Sequence, residues 1–202
     1  MGGGCSTCNS SLDEVVLTYL VSNTRFSRNM VKSLWTRFQN LDNGKKGFLI
    51  PSDMMEISKF RANPLAERLI ITIFYVDKST IEPRNHSIKL EDIKVTFPHF
   101  VESFDWFHGS DEHPHMTMNK VRFLFNIFDI QGTGFIKIMQ IYELLEILSH
   151  FSSTVEDKLW SISEEIFMDM KQSDDEKTYI TFEEFFKALD LVRVHANMNI
   201  NF

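Results

Sequence analysis

The sequence has little cysteine, little proline and no long apolar run. Of its 202 residues only two are cysteines, Cys5 and Cys8, and both lie near the N-terminus. A framework of several disulfides is therefore excluded, and a reducing compartment is expected. No uninterrupted apolar stretch approaches the roughly 20 residues that a membrane-spanning helix requires. No basic segment leads into an apolar one at the N-terminus, so we expect no secretory signal.

The chain also lacks an excess of basic charge. It carries 21 Lys and Arg residues against 28 Asp and Glu residues, a formal net charge of −7. A general nucleic-acid-binding protein would show a basic face, so this class is disfavoured. No nucleophile–base pairing and no phosphate-binding glycine loop is recognisable, and we expect a protein that is not an enzyme. The chain is rich in large apolar side chains, with 19 Phe and 10 Met.

The first six residues, Met-Gly-Gly-Gly-Cys-Ser, match the N-myristoylation pattern. Removal of Met1 would leave Gly2 as the acceptor, with Ser6 at the small hydroxyl position. One acyl chain gives only marginal membrane binding, and a palmitoyl group on Cys5 would supply the second signal. The alternative is an unmodified glycine-rich start. We expect lipidation at Gly2 and Cys5 and a location at the cytoplasmic face of a membrane; a redox or zinc role for the two cysteines is disfavoured, because no further ligands are near.

A helical unit begins after Ser27, which is suited to an N-cap. The residues that follow at the spacing of one apolar helix face are Met30, Val31, Leu34, Trp35, Phe38 and Leu41. A polar turn over 42–47 ends this helix. A short apolar strand over 48–50 follows, and Pro51 is typical of the first residue of another helix.

This helix–loop–strand–helix unit recurs along the chain. Taking Leu49, Ile88, Ile136 and Ile180 as equivalent positions gives spacings of 39, 48 and 44 residues, which indicates a repeated supersecondary unit. We expect an all-α fold of the EF-hand superfamily, with two lobes of paired hands and a short two-stranded ribbon between the loops of each pair. The predicted segments are an N-terminal tail and lead-in helix over 1–22, a first pair over 23–102, a linker over 103–119, a second pair over 120–192 and a C-terminal tail over 193–202.

The loops keep the frame of an EF-hand. Such a loop has about 12 residues, glycine at position 6 and oxygen ligands at positions 1, 3, 5, 7, 9 and 12. Counting from Asp42 places Gly47 at position 6, and counting from Asp129 places Gly134 there. The alternative of ordinary helix–turn–helix connections does not account for the two glycines together with the four aliphatic positions.

The ligand positions of these loops are degenerate. The residues at positions 1, 3, 5 and 12 are Asp42, Gly44, Lys46 and Asp53 in the first loop, Asp129, Gln131, Thr133 and Gln140 in the third, and Ser173, Asp175, Lys177 and Glu184 in the fourth. The second loop contains Pro83 and offers no convincing frame. Calcium affinity depends on the number of charged ligands. We therefore expect no cofactor and no loop with the affinity of a calcium sensor, and at most weak calcium binding in the fourth loop through Asp175 and Glu184.

Several short motifs are shared with one known family. They are TRFS at 24–27, WTRF at 35–38, LDNGKKG at 41–47, NPL at 63–65, VRFLF at 121–125, ITFEEF at 180–185 and MNINF at 198–202. In these motifs, and over nearly the whole chain, the sequence resembles the calcineurin B-like EF-hand proteins, most closely the calcineurin B homologous proteins. The resemblance implies a non-enzymatic partner subunit that holds an amphipathic helix of a larger protein in a hydrophobic groove. For the homologous proteins the client is a cytoplasmic helix of a sodium/proton exchanger, and for calcineurin B it is a phosphatase catalytic subunit. The chain departs from the family in its third and fourth loops, where calcium ligands are usually kept.

An open pair of EF-hands forms a groove rich in Met and Phe, which accepts the apolar anchors of a helix. The candidate groove residues are Met54, Met55, Phe167, Met168, Phe182, Phe185 and Phe186. The alternative for any one of them is an ordinary core position. A hand without calcium would be held open by its client, so we expect a constitutive subunit that is poorly soluble alone.

Three histidines between Glu102 and Asn119 could suggest a metal site, but a linker without a rigid scaffold is the better interpretation. Three functions are left: a lipid-anchored subunit of a sodium/proton exchanger, the B-type subunit of a calcineurin-like phosphatase, and a myristoylated calcium sensor. The first is the leading expectation. The degenerate ligand positions argue against the third.

Overall fold

The computed structural model describes residues 11–74, 90–105, 107–108, 114–129, 131–149, 156–171 and 176–189. These residues form ten α-helices, namely α1 (Glu14–Asn23), α2 (Arg28–Leu41), α3 (Pro51–Met55), α4 (Ser58–Arg61), α5 (Ala66–Phe74), α6 (Phe97–Asp105), α7 (Pro114–Phe128), α8 (Ile138–Ser149), α9 (Glu156–Met170) and α10 (Phe182–Ala188). A short 3-10 helix spans Leu90–Asp92. Within the described ranges, no helix is both long and apolar enough to cross a bilayer.

Side-chain caps fix where several helices begin. Asp13 accepts a hydrogen bond from the amide of Val15 at the start of α1. The predicted N-cap Ser27 is confirmed, since its hydroxyl accepts from the amide of Met30 at the start of α2. Each cap satisfies an amide that has no partner within its helix.

Four two-residue strands join the loops in pairs. The strands are β1 (Phe48–Leu49), β2 (Val95–Thr96), β3 (Phe135–Ile136) and β4 (Ile180–Thr181). β1 pairs antiparallel with β2, and β3 pairs antiparallel with β4. The repeated unit of helix, loop, short strand and helix is thus present, and the all-α class with short ribbons is confirmed.

A first hydrophobic core fills the space among α1, α2, α3, α5, α6 and the first strand pair. Its fully buried members include Phe26, Phe38, Leu49 and Ile70. The rings of Phe38 and Phe97 meet edge to face at 5.4 Å. Aromatic pairs in this arrangement add to the stabilisation that burial alone provides.

A second core lies among α7, α8, α9, α10 and the second strand pair. Its buried members are Val121, Phe125, Ile136, Ile141, Phe167, Ile180 and Phe185. The first core also draws on α7 and α8, through Phe123, Ile127 and Leu144. On α7, Phe123 and Ile127 thus pack into the first core, whereas Val121 and Phe125 pack into the second. The hydrophobic packing therefore continues across the boundary between the predicted lobes.

The segment predicted as a linker over 103–119 is partly helical. α6 extends to Asp105, and α7 begins at Pro114, where proline suits the first helical position. The helices of the two halves also meet directly, because α5 packs against α7.

Candidate functional site

One hydrogen bond recurs in three of the loops and fixes their common register. The side chain at position 12 accepts a hydrogen bond from the main-chain amide at position 9. The pairs are Asp53 with Ile50 at 2.9 Å, Gln140 with Lys137 at 2.8 Å, and Glu184 with Thr181 at 2.8 Å. In each loop this bond caps the helix that leaves the hand. The counting from Asp42, Asp129 and Ser173 is consistent with this geometry.

Glycine at position 6 makes the turn in the first and third loops. Gly47 has φ of 82° and Gly134 has φ of 81°, in the left-handed region that residues with a Cβ rarely adopt. Among the described residues, Lys45 is the only non-glycine residue with positive φ. Thr178, at position 6 of the fourth loop, therefore does not make the same turn.

The centre of the first loop contains an ammonium group. Lys46 Nζ lies 3.2 Å from Asp53 Oδ1, 3.0 Å from Asp53 Oδ2 and 3.3 Å from Asp42 Oδ1. It also donates a hydrogen bond to the main-chain oxygen of Asn43. Asp42 in turn accepts hydrogen bonds from the amides of Lys46 and Gly47, at 2.9 and 2.7 Å. The two carboxylates of the loop are thus bridged by a side chain of the same loop.

These contacts shift the pKa values of both partners toward their charged forms. Burial of its carboxyl acts to raise the pKa of Asp42, but the amide of Gly47 and the amide and ammonium of Lys46 outweigh it and lower the pKa. Burial acts to lower the pKa of Lys46, but hydrogen bonds and Coulomb attraction to Asp53 and Asp42 raise it. The group is therefore an ion pair at neutral pH.

The third loop is closed by an amide instead of an ion pair. Gln140 Oε1 accepts the amide of Lys137, so the Nε2 group faces Asp129 and lies 3.3 Å from its Oδ1. Asp129 also accepts from the amides of Thr133 and Gly134, at 2.8 and 2.7 Å, and from the hydroxyl of Thr133 at 3.0 Å. Both Asp129 and Gln140 are buried.

The residues of these two loops do not fit a calcium ion. Calcium takes six to eight oxygen ligands, with a bidentate acid at position 12. In the first loop Lys46 holds the acid at position 12, and in the third loop a hydrogen-bond donor points from position 12 toward position 1. Among the described residues, no group of three or more His, Cys, Asp or Glu side chains is placed to hold a metal ion.

The fourth loop supplies a glutamate at position 12. Glu184 accepts hydrogen bonds from both the amide and the hydroxyl of Thr181, each at 2.8 Å, and Thr181 Oγ1 accepts the amide of Glu184 at 3.3 Å. This reciprocal pair is a capping box at the start of α10. Ser173 and Asp175 lie outside the described residues, so weak calcium binding through Asp175 and Glu184 stays a prediction.

The register predicted for the second loop is wrong. The sequence suggests Ile88 as the aliphatic residue of this loop, but Leu49 pairs with Val95, as Ile136 pairs with Ile180. With Val95 at position 8, the spacings become 46, 41 and 44 residues. Counting back places Ile88 at position 1 and Leu90 at position 3, so apolar side chains stand where oxygen ligands are required.

The candidate groove residues fall into three groups by burial. Met54, Phe167 and Phe185 are buried in the cores, and in this conformation they are not open to a partner. Met55, Phe182 and Phe186 are half-buried and pack against the cores. Met168 on α9 is 65% exposed. A shared helical spacing could not separate these cases, because both core and groove positions repeat with the helical period.

Other exposed apolar residues were missed. They are Val15 and Tyr19 on α1, Phe135 on β3, Met139 and Leu148 on α8, and Trp160 and Ile162 on α9. α8 packs against α9, and Tyr142 contacts Trp160 with ring centroids 5.8 Å apart. A signal was present in the sequence, since α8 has more apolar residues than one buried stripe of a helix needs. The lipidation candidates Gly2 and Cys5 lie outside the described residues. His113 and the side chain of His115 also lie outside them.

The relatives found for this chain are calcineurin B subunits. No family model matches the chain. It is 30% identical over 186 residues to the calcineurin B subunit of Kluyveromyces lactis, an alignment that covers 92% of this chain and 94% of the relative. It is 31% identical over 140 residues to the type 2 calcineurin B subunit of Dictyostelium discoideum, covering 69% and 66%, and 26% identical over 195 residues to the calcineurin B subunit of Naegleria gruberi, covering 96% and 98%. With nearly full-length similarity and three loops in one EF-hand register, the chain belongs to the calcineurin B-like EF-hand family.

Proposed function

We propose that the chain is a non-catalytic subunit that binds an amphipathic helix of a larger protein. The observation that carries this proposal is nearly full-length similarity to proteins named as calcineurin B subunits. Exposed Met139 and Leu148 on α8, with Trp160 and Met168 on α9, support it physically. Apolar side chains of this kind are the usual contacts for the anchors of a client helix.

The first candidate client is the catalytic subunit of a calcineurin-like phosphatase. This client follows from the names of the relatives, which are B subunits of calcineurin and align with this chain over most of their length. The second candidate is the cytoplasmic helix of a sodium/proton exchanger, which the resemblance to the calcineurin B homologous proteins implies. The first loop supports the second candidate, because LDNGKKG at 41–47 resembles the degenerate first loop of the calcineurin B homologous proteins and is closed by Lys46.

Affinity purification of the tagged full-length chain from its own cells, followed by mass spectrometry, tests the proposal. Recovery of a phosphatase catalytic subunit supports the first client, and recovery of an exchanger supports the second. A synthetic peptide of the recovered helix should then bind in a one-to-one ratio by calorimetry. Failure of that peptide to bind the purified chain would contradict helix binding, whichever protein is recovered.

We propose that the client is bound whether or not calcium is present. The first and third loops are closed by Lys46 and Gln140 and need no ion to hold their shape. Client affinity should therefore be the same in a calcium chelator and in millimolar calcium. A myristoylated calcium sensor, the remaining alternative, would show calcium-dependent binding and calcium-dependent partitioning to membranes instead.

We propose further that Gly2 is myristoylated and Cys5 palmitoylated, which would hold the complex at the cytoplasmic face of a membrane. Intact mass of the protein from its own cells measures both modifications. Gly2→Ala should abolish membrane association, and Cys5→Ser should weaken it. Membrane association that survives Gly2→Ala without a client would contradict the acyl anchor.

A chain that binds a client permanently should be poorly soluble when it is expressed alone. Exposed apolar side chains then have no partner, and the stability supplied by binding is absent. Co-expression with the client helix should increase the yield of monodisperse protein. Stable, monodisperse behaviour of the chain by itself would argue against a constitutive partner.

A further inference from the structure

We propose that the ammonium of Lys46 is the built-in cation of the first loop, taking the place of a metal ion and keeping the loop in its cation-bound shape. This inference concerns the loop itself and does not depend on which client the chain binds. The degenerate ligand positions show only that the loop lacks metal ligands, whereas the proposal names the group that occupies the site.

The contacts of Lys46 with the acids at positions 1 and 12 follow the pattern that a metal ion would have. Both oxygens of Asp53 at position 12 lie on the ammonium, at 3.2 and 3.0 Å, as a bidentate acid would lie on calcium. One oxygen of Asp42 at position 1 lies on it at 3.3 Å. The ammonium also donates to the main-chain oxygen of Asn43 at position 2, which is not a ligand position of a calcium loop.

The length of the acid at position 12 fits this arrangement. Calcium–oxygen distances are about 2.3–2.6 Å, whereas an ammonium–oxygen hydrogen bond is about 2.7–3.2 Å. Asp53 is one methylene shorter than the usual glutamate. A cation that is held from the loop itself at the longer distance suits this shorter side chain.

Burial makes the ammonium necessary. The side chains of Asp42 and Asp53 are only 7% and 5% exposed, and that of Lys46 is 26% exposed. Two carboxylates that share a buried site repel each other unless a cation lies between them. Lys45, the preceding residue, adopts the left-handed conformation, and it is Lys46 that makes the ion pairs with Asp42 and Asp53.

The built-in cation also connects the helices of the hand. Asp42 is the C-cap of α2, and Asp53 lies in the first turn of α3. Through Lys46 the two helix ends are joined across the loop, while Asp53 holds the amide of Ile50 next to β1. A divalent ion would have to displace a tethered ammonium, which is always present at high local concentration. The first hand therefore keeps one shape at any calcium level.

Two substitutions in the full-length chain test this, with Lys45→Gln as the matched control. In a chelator, Lys46→Gln should lower Tm by about 2–4 °C relative to Lys45→Gln. Lys46→Asp should create a site that binds one additional calcium per chain by calorimetry. Wild type and Lys45→Gln, titrated in parallel, subtract any calcium effect of the fourth loop.

Some results would overturn the proposal. One is a Tm for Lys46→Gln equal to that of Lys45→Gln in a chelator, which would show that the ammonium holds nothing in place. A second is a Lys46→Asp variant that folds but binds no more calcium than wild type, which would show that the ammonium does not occupy a cation site. If Lys46→Asp fails to fold, the pair of glutamine variants decides by itself, and the amide resonance of Gly47, hydrogen-bonded to Asp42, reports on the loop directly.

Discussion

Arg68 Nη1, on α5, donates a hydrogen bond to the main-chain oxygen of Ile127 over 3.1 Å. Ile127 lies in the last turn of α7, two residues before Asp129 opens the third loop. A cation is favourable at this end of a helix, where carbonyl groups have no partner within the helix. Arg68 Nη2 lies 3.3 Å from Glu143 on α8. One side chain of the first half thus contacts both helices of the third hand.

Removing this contact should weaken the whole fold. Arg68→Gln should lower the free energy of unfolding by about 1–3 kcal/mol, because a largely buried, charged hydrogen-bond donor is lost. Urea denaturation measures the change. The matched control is Arg61→Gln, whose ion pair with Glu56 is exposed and should contribute less than about 1 kcal/mol. Equal losses for the two variants would show that Arg68 does not join the halves.

The amide at position 12 of the third loop gives a second prediction. The amide nitrogen of Gln140 now lies 3.3 Å from Asp129 Oδ1. In Gln140→Glu a carboxylate oxygen would take its place, so that two buried carboxylates would be adjacent. Without calcium the variant should be destabilised by about 1–3 kcal/mol, since like charges would share a buried site. Calcium should reverse the loss, because the bidentate acid of an EF-hand would be restored.

Thermal unfolding in chelator and in calcium measures both effects of Gln140→Glu. Met139→Glu adds the same charge one residue earlier at an exposed position, and should change stability by no more than about 0.5 kcal/mol. A Gln140→Glu variant that is as stable as Met139→Glu in chelator would be inconsistent with the buried contact.

The ion pair in the first loop predicts a pH dependence. The folded-state pKa of Asp42 is lowered, so its stabilising contribution is present above the ordinary value of about 3.9 and is lost as pH falls through the lowered pKa. The pKa of Lys46 is raised, so its contribution is present below about 10.4 and is lost as pH rises through the raised pKa.

The difference in Tm between wild type and Asp42→Asn measures this contribution. The difference should be constant between about pH 5 and pH 9 and should shrink as the pH falls below about 4 toward the lowered pKa of folded Asp42. Glu56→Gln, which removes an exposed carboxylate, serves as the control and should show little difference throughout. A difference that persists unchanged to the lowest pH would refute the ionised pair.

The candidate groove residues should separate into those needed for folding and those needed for binding. Phe185 is buried against Phe125, at 5.5 Å between ring centroids, so Phe185→Ala should cost about 3–5 kcal/mol of stability. Met168→Ala should change stability by no more than about 0.5 kcal/mol. The same substitution should weaken binding of the client helix by about 3- to 10-fold, measured by calorimetry. Unchanged client affinity would remove Met168 from the binding surface.

The sequence by itself determined the repeated unit and most of its local chemistry. Ser27 was recognisable as an N-cap, Pro51 as a helix start, and Gly47 and Gly134 as the turn residues of two loops. Each of these features depends on the conformational preference of one residue or on side-chain bonds to amides a few positions away. Such local preferences can be recognised from the sequence alone.

Only the tertiary structure decided which residues meet across the chain. The pairing of Leu49 with Val95 corrected the choice of Ile88, because the register of two strands depends on a partner that is 46 residues distant. Packing likewise decided that Phe185 is buried while Met168 is exposed. The sequence showed that Lys46 stands at a ligand position of the first loop. Only the folded loop shows that its ammonium contacts both Asp42 and Asp53. Burial and electrostatic contact are properties of the folded chain, since they depend on which distant groups exclude water from a site.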